Sequence, residues 1–308
     1  MKRTLFFSFL AMALALGIAG CSKGSKADGK TAESSGGKTA GDSTSGKTAE
    51  SEKTAESKSG GSMTWTAVDS PFSSSWNIVA IIYMNDEFAA WGNAGVKSSS
   101  PDGITWTKLN QYGSDKIQWA AAYGKNKYVL ARWGLSYSSD GEKWTDALPE
   151  DFRGVAYGNN RFVAAGMGGI IAYSTDGEKW TVVKDRPLGA SLINAIAFGN
   201  GKFVAVGNRR TMAYSSNGEK WTDIDVYSIF GSGDIYSIAY GNGTFVAGGE
   251  NGKMAASTDG VNWTEIDTGT LFDYTDKNGL QKGNIRGIAY GNDKFVAGAD
   301  KLAYSTGK

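Results

Sequence analysis

Apolar and polar positions alternate in short runs along most of the chain, and the runs repeat. The stretch INAIAFGNGKFVAVGNRRTMAYSSNGEKW at 193–221 holds three short apolar runs and a fourth that opens on Trp, separated by Gly, Asn and Asp turns. Near-copies recur, closing on Trp65, Trp106, Trp144, Trp180, Trp221 and Trp263. Asp102-Gly103, Asp140-Gly141, Asp176-Gly177, Asn217-Gly218 and Asp259-Gly260 precede five of these tryptophans. Asp-Gly and Asn-Gly between apolar runs signal tight hairpins. A second turn, Gly199-Asn200-Gly201, has counterparts at Gly124, Gly158, Gly241 and Gly291 and leads into a run such as Phe203-Val204-Ala205-Val206. Each unit therefore predicts four short strands, at 195–198, 203–206, 211–215 and 220–224 in this copy. Short strands joined by tight turns make an antiparallel meander and leave no room for crossover helices.

One such sheet cannot bury its own faces; stacked radially, neighbouring sheets bury each other. Five complete units end at Trp106, Trp144, Trp180, Trp221 and Trp263. A sixth starts near Ile285 and stops short of its Trp strand, and the missing strand stands at the other end, as MTWT at 63–66. The expectation is an all-β, six-bladed β-propeller of four-stranded antiparallel blades, closed when residues 63–66 complete the last blade. Ala and Gly dominate the inner strands, where blades converge. Tryptophan fills the outer strands, where the wedge widens.

The first 62 residues read differently. Lys2 and Arg3 precede an apolar run and then Ile18-Ala19-Gly20-Cys21, the order of a secretory signal. The segment resembles a bacterial lipobox, which implies cleavage before Cys21, lipidation of that residue, and a place at the cell envelope, on the outer membrane or cell surface. Residues 22–62 are Gly, Ser, Thr, Lys, Glu and Ala with nothing large to bury, and they read as a disordered tether. The domains expected are thus 1–21, 22–62 and a propeller over 63–308.

Charge and chemistry narrow the function. The formal net charge is +1, and −1 without Lys2 and Arg3, which gives no basic face for nucleic acid. The chain has no histidine and a single cysteine, so His- or Cys-based catalysis and metal binding have no material. No cofactor or metal is expected, and the domain reads as a monomer.

The segment SSDGEKWT at 138–145, with its counterparts beginning at Ser100, Ser174, Ser215 and Ser257, resembles the Asp-box, or bacterial neuraminidase repeat. One residue fewer separates Asp from Trp, as in the sialidase-like and photosystem II assembly factor-like propellers. The resemblance implies that these boxes are structural hairpins away from the ligand face. It leaves activity open, because enzymes and binding proteins share them. Sialidases of that family use an arginine triad, a Tyr/Glu pair and an Asp acid. The Arg-Ile-Pro motif before the first such arginine is absent here, and Glu250 and Asp300 are the carboxylates placed to approach the axis.

Turns on one end of the ring are nearly invariant; loops on the other vary in length and content. The variable end carries the candidates for recognition: Tyr227, Phe272 and Tyr274 in the long connections, with Trp76, Tyr112 and Phe230, and Trp91, Arg132, Trp133, Arg209, Arg210 and Glu250 in tight loops. The leading expectation is an envelope-anchored binding or scaffold propeller for a protein, peptide or glycan. A glycoside hydrolase or an assembly factor for a membrane complex are the alternatives.

Overall fold

The computed structural model describes residues 63–306, apart from 73–76, 85, 112–118, 142 and 277. The expected signal, lipidated Cys21 and tether, and the candidates Trp76 and Tyr112, lie outside the described residues.

Six four-stranded antiparallel sheets surround one axis. Blade 1 starts with Ile78–Met84, blade 2 with Ala120–Gly124, blade 3 with Phe152–Gly158, blade 4 with Ile193–Gly199 and blade 5 with Ile235–Gly241. Blade 6 comprises Gly287–Gly291, Lys294–Gly298 and Leu302–Thr306, completed by Thr64–Val68. That N-terminal strand runs antiparallel to Leu302–Thr306, from Thr64 opposite Thr306 to Val68 opposite Leu302. The opening strands of all six blades line a central cavity of about 200 Å3. The fourth strands are shorter than expected: in blade 4 only Thr222–Asp223 pairs. The long connection between blades 5 and 6 adds a hairpin, Asp273–Asp276 with Gly279–Lys282.

The repeated text is blade-to-blade cement. The Gly closing each first strand lies under the aromatic ring of the next blade. A Cβ on Gly124, Gly158, Gly199, Gly241 or Gly291 would fall 1.9–2.4 Å from the ring of Tyr157, Phe198, Tyr240, Tyr290 or Tyr83 respectively. The Asn that follows is held at φ of 45–49° in four copies, and in three of them its amide reaches across to the neighbouring hairpin. Asn159 donates to Ser216 O at 2.9 Å, Asn200 to Thr258 O at 2.5 Å and Asn292 to Pro101 O at 2.6 Å. The cation after the turn reaches the same hairpin: Lys127 to Glu178 at 2.7 Å, Arg161 to Glu219 at 2.5 Å, Lys294 to Asp102 O at 3.0 Å. Asn200→Ala removes a bond between blades and leaves a β-carbon in left-handed backbone without a compensating amide. It is expected to lower stability by about 1–2 kcal/mol in denaturant titration.

In the hairpins, Ser and Asp satisfy the turn. Gly260 N–H donates to Ser257 Oγ at 2.9 Å, and Val261 and Asn262 N–H both donate to Asp259 Oδ1 at 2.8 Å. The Trp180 indole donates to Gly177 O at 3.1 Å, pinning the tryptophan over its turn. Asn217 accepts the same pair of N–H groups at 3.0 Å without a charge. Backbone donors hold the Asp259 and Asp176 carboxyls below the usual range, and Asp102 at about 2. A carboxyl depressed on folding contributes stability above its unfolded value of 3.8, and that contribution is lost as pH falls through the folded value. Thermal stability should therefore drop below about pH 4, and Asp259→Asn should flatten that drop. An Asn variant with an unchanged acid limb would show that the hairpin charges carry none of it.

Five clusters of buried side chains fill five blade interfaces, from blades 2–3 round to blades 6–1. The sixth interface, between blades 1 and 2, holds no such cluster among the described residues.

Candidate functional site: the mouth of the central channel

The opening strands of blades 1, 3, 4 and 5 carry a β-bulge near their start, where register slips between Ile78 and Ala80, Phe152 and Gly154, Ile193 and Ala195, and Ile235 and Ser237. A bulge inserts one residue and re-aims its side chain. The inserted residues are Val79, Arg153, Asn194 and Tyr236. Trp119 and Arg286 hold the matching places in blades 2 and 6, each N–H bonded to the last residue of the second strand, Ala131 or Gly298. Six equivalent positions thus ring the variable end of the channel with Val, Trp, Arg, Asn, Tyr and Arg, all half-buried. The residue after each is Ala, Gly or Ser, because neighbouring backbone is close. A Cβ on Gly154 would sit 2.8 Å from Ile196 N, and one on Gly287 2.6 Å from Ile81 N.

The ring has approximate twofold character. Arg153 lies flat over Trp119, 4.3 Å from the ring centroid, and Arg286 lies over Tyr236 at 4.4 Å. The two pairs stand three blades apart, on opposite sides of the mouth. Asn194 donates to Asn208 Oδ1 at 2.8 Å and Ile235 O at 2.9 Å. Stacking occupies one face of each guanidinium. The halves differ in charge. Asp151 pairs with Arg153 through both oxygens, at 3.2 and 3.3 Å. The place matching Asp151 beside Arg286 is Asn284, whose Oδ1 accepts Asn251 N–H at 3.0 Å.

Tyr236 donates its hydroxyl to Glu250 Oε1 at 3.2 Å. Burial pushes this phenol up to about 12, so at neutral pH it is a protonated donor. Burial also raises the Asp300 carboxyl, against the pull of Arg286. Glu250 N–H and Arg209 N–H both bond Asp234, at its carbonyl and at Oδ1, which ties the Arg209 loop to the Glu250 loop. Arg210 stacks on Tyr227 at 5.1 Å. Arg209, Arg210, Tyr227 and Glu250 therefore share one sector, beside blades 4 and 5.

The other expected residues divide. Trp133 stands 66 % exposed at its loop tip, and Tyr227 is 59 % exposed. Met167 and Leu280, also on variable-end loops, are the further large apolar side chains more than half exposed among the described residues. Tyr274 is half-buried on the added hairpin. Trp91 is not in a loop: it pairs opposite Ala80 within Glu87–Gly92, is 8 % exposed and has Lys97 over its ring. Phe272 is 1 % exposed and packs with Ile285 and Ala299, so it covers a blade flank. Phe230 is buried in the same way. Arg132 turns along its own blade, to Ser136 Oγ at 3.2 Å and Asp146 at 3.9 Å.

Trp119, Arg153, Tyr236 and Arg286 were not singled out from sequence. Their signal is visible once the units are set in register as IVA, QWA, FRG, INA, IYS and IRG: one unlike residue, mostly between a large apolar and a small one.

No family model matches the chain, and no curated protein matches it. Solved structures do. The extracellular domain of the hybrid two-component system BT4673 from Bacteroides thetaiotaomicron is 12% identical, with a TM-score of 0.56, over 78% of this chain and 39% of that one. Virginiamycin B lyase from Staphylococcus aureus is 11% identical, TM-score 0.53, over 80% of this chain and 99% of that one. YCF48 bound to D1 peptide is 15% identical, TM-score 0.47, over 74% and 77%. At these identities the first two likenesses speak to the fold alone.

Proposed function

We propose that this chain is a non-catalytic, extracytoplasmic binding or scaffold propeller, held to the envelope through lipid on Cys21, that takes a protein, peptide or glycan at the channel mouth. The supporting observation is the bulge ring. Six equivalent positions on a near-invariant frame carry largely unlike side chains, with exposed Trp133 and Tyr227 on the surrounding loops. Frame residues repeat because every blade must stack; recognition uses positions free to differ. On this reading the Ser-x-Asp-Gly or Ser-x-Asn-Gly hairpins are Asp-boxes serving the frame.

Two measurements test this. Mass spectrometry of the envelope fraction should find acylated Cys21, and Cys21→Ser should release the protein. Full chain applied to glycan and peptide arrays should give hits that Arg286→Ala with Tyr227→Ala abolishes. Hits indifferent to those changes would move recognition elsewhere, and turnover of a glycan would restore the hydrolase reading.

A further inference from the structure

The interface between blades 1 and 2 departs from the other five on both walls. On blade 1, Met84 stands where the other first strands end in the Gly that receives the next blade's ring. Glu87 replaces the cation found at Lys127, Arg161 and Lys294. Ala89 takes the place of a valine. Elsewhere that valine closes on the next hairpin: Val296 on Gly103, Val129 on Gly177, Val163 on Gly218, Val204 on Gly260. The corresponding Gly141 meets only Tyr128 of its own blade. Lys97, opposite Trp91, occupies the register position held elsewhere by Leu135, Ile171, Met212, Met254 and Leu302.

Blade 2 answers in kind. Ala121 stands where the others present Ile81, Val155, Ile196, Ile238 and Ile288. Ser136 holds a place given to Ala172, Ala213, Ala255 and Ala303, and Arg132 lies on it. Residues 120–123 are each half-buried, whereas Val155 and Ala156 are buried.

Separating apolar walls exposes surface at roughly 25 cal/mol per Å2. This seam buries Trp91 and Leu130, 8 % and 3 % exposed, but it lacks the ring-on-glycine and valine-on-hairpin contacts of its sisters, and Glu87, Lys97, Ser136 and Arg132 beside it keep part of their hydration when the walls part, so it opens at lower cost. We propose that the seam between blades 1 and 2 is an opening built into the ring. The two blades part there without unfolding and admit a ligand to the central cavity from the side, past Ala121. The proposal does not depend on what the mouth binds or on lipid at Cys21.

Native-state hydrogen exchange on the full chain tests it. Amides of Ile78–Met84 and Ala120–Gly124 should exchange through openings that depend weakly on denaturant, whereas those of Phe152–Gly158 and Ile193–Gly199 require global unfolding. In a Cys21→Ser background, Ala121→Cys should react with maleimide at least about tenfold faster than Ile196→Cys. Restoring the sister-blade residues (Met84→Gly, Ala89→Val, Lys97→Leu, Ala121→Ile) should raise Tm and slow exchange at the seam to the level of blade 3. Equal denaturant dependence in all four strands, or equal labelling at Ala121 and Ile196, would overturn the proposal even if the restored variant fails to fold.

Discussion

Trp65→Ala should lower the free energy of unfolding by about 3–5 kcal/mol, the range for truncating a fully buried large aromatic. The indole is 1 % exposed and packs in the cluster that joins blades 5 and 6, with Phe295 and Ala303. Its strand is the outermost of blade 6, paired from Thr64 to Val68 with Leu302–Thr306. Without that strand, Leu302–Thr306 becomes an open edge and the last wedge of the ring stays unfilled. Chains starting at Met63 and at Asp69 separate the clasp from the segment before it. The first should melt like the full protein; the second should lose its cooperative transition. A stable chain from Asp69 would mean that the ring closes without its N-terminal strand.

Gly241→Ala comes second in size, although it adds a single methyl. The new carbon would lie 1.9 Å from Cγ of Tyr290. That ring cannot retreat, since Phe295 packs against it with centroids 4.8 Å apart. Overpacking of this kind typically costs about 1–3 kcal/mol. Gly243 controls for it: a methyl there would have nothing within 4 Å, so Gly243→Ala adds only the strain of φ 75°. If stacking is the cause, Tyr290→Ala should recover part of the loss in a double-mutant cycle. Additive effects would place the role of Gly241 in its own backbone.

These two sites show how far the chain could be read before it was seen folded. The Trp period, the paired turns and the incomplete last unit carried the blade count and the clasp, because each is a local pattern that recurs or is conspicuously missing. From sequence, GNGKF reads as a turn and a strand, which is half of its meaning. Gly lies under the next blade's ring, Asn bonds the next hairpin, and in three copies the cation reaches the same hairpin. Such contacts join residues from one unit to the next, the Asn bonds spanning 57 and 58 positions and, where the ring closes, 191, so no local signal reports them. The same distance hid the mouth. Arg286 and Tyr236 stack across a blade boundary, and each looks like an ordinary strand residue in its own unit. Loop residues fared unevenly for a related reason. Trp91 holds the paired register place that Ala131 holds in blade 2, whereas Trp133 stands two residues beyond the end of its strand.

Photo-crosslinking amino acids at Trp133, Tyr227 and Tyr236, compared with Ser139, Ser216 and Thr258 on the hairpin end, test the division between frame and mouth most directly. In intact cells the mouth positions should give discrete adducts that Arg286→Ala removes, and the hairpin positions should give none. Adducts of equal strength from both ends, or from the hairpin end alone, would contradict it.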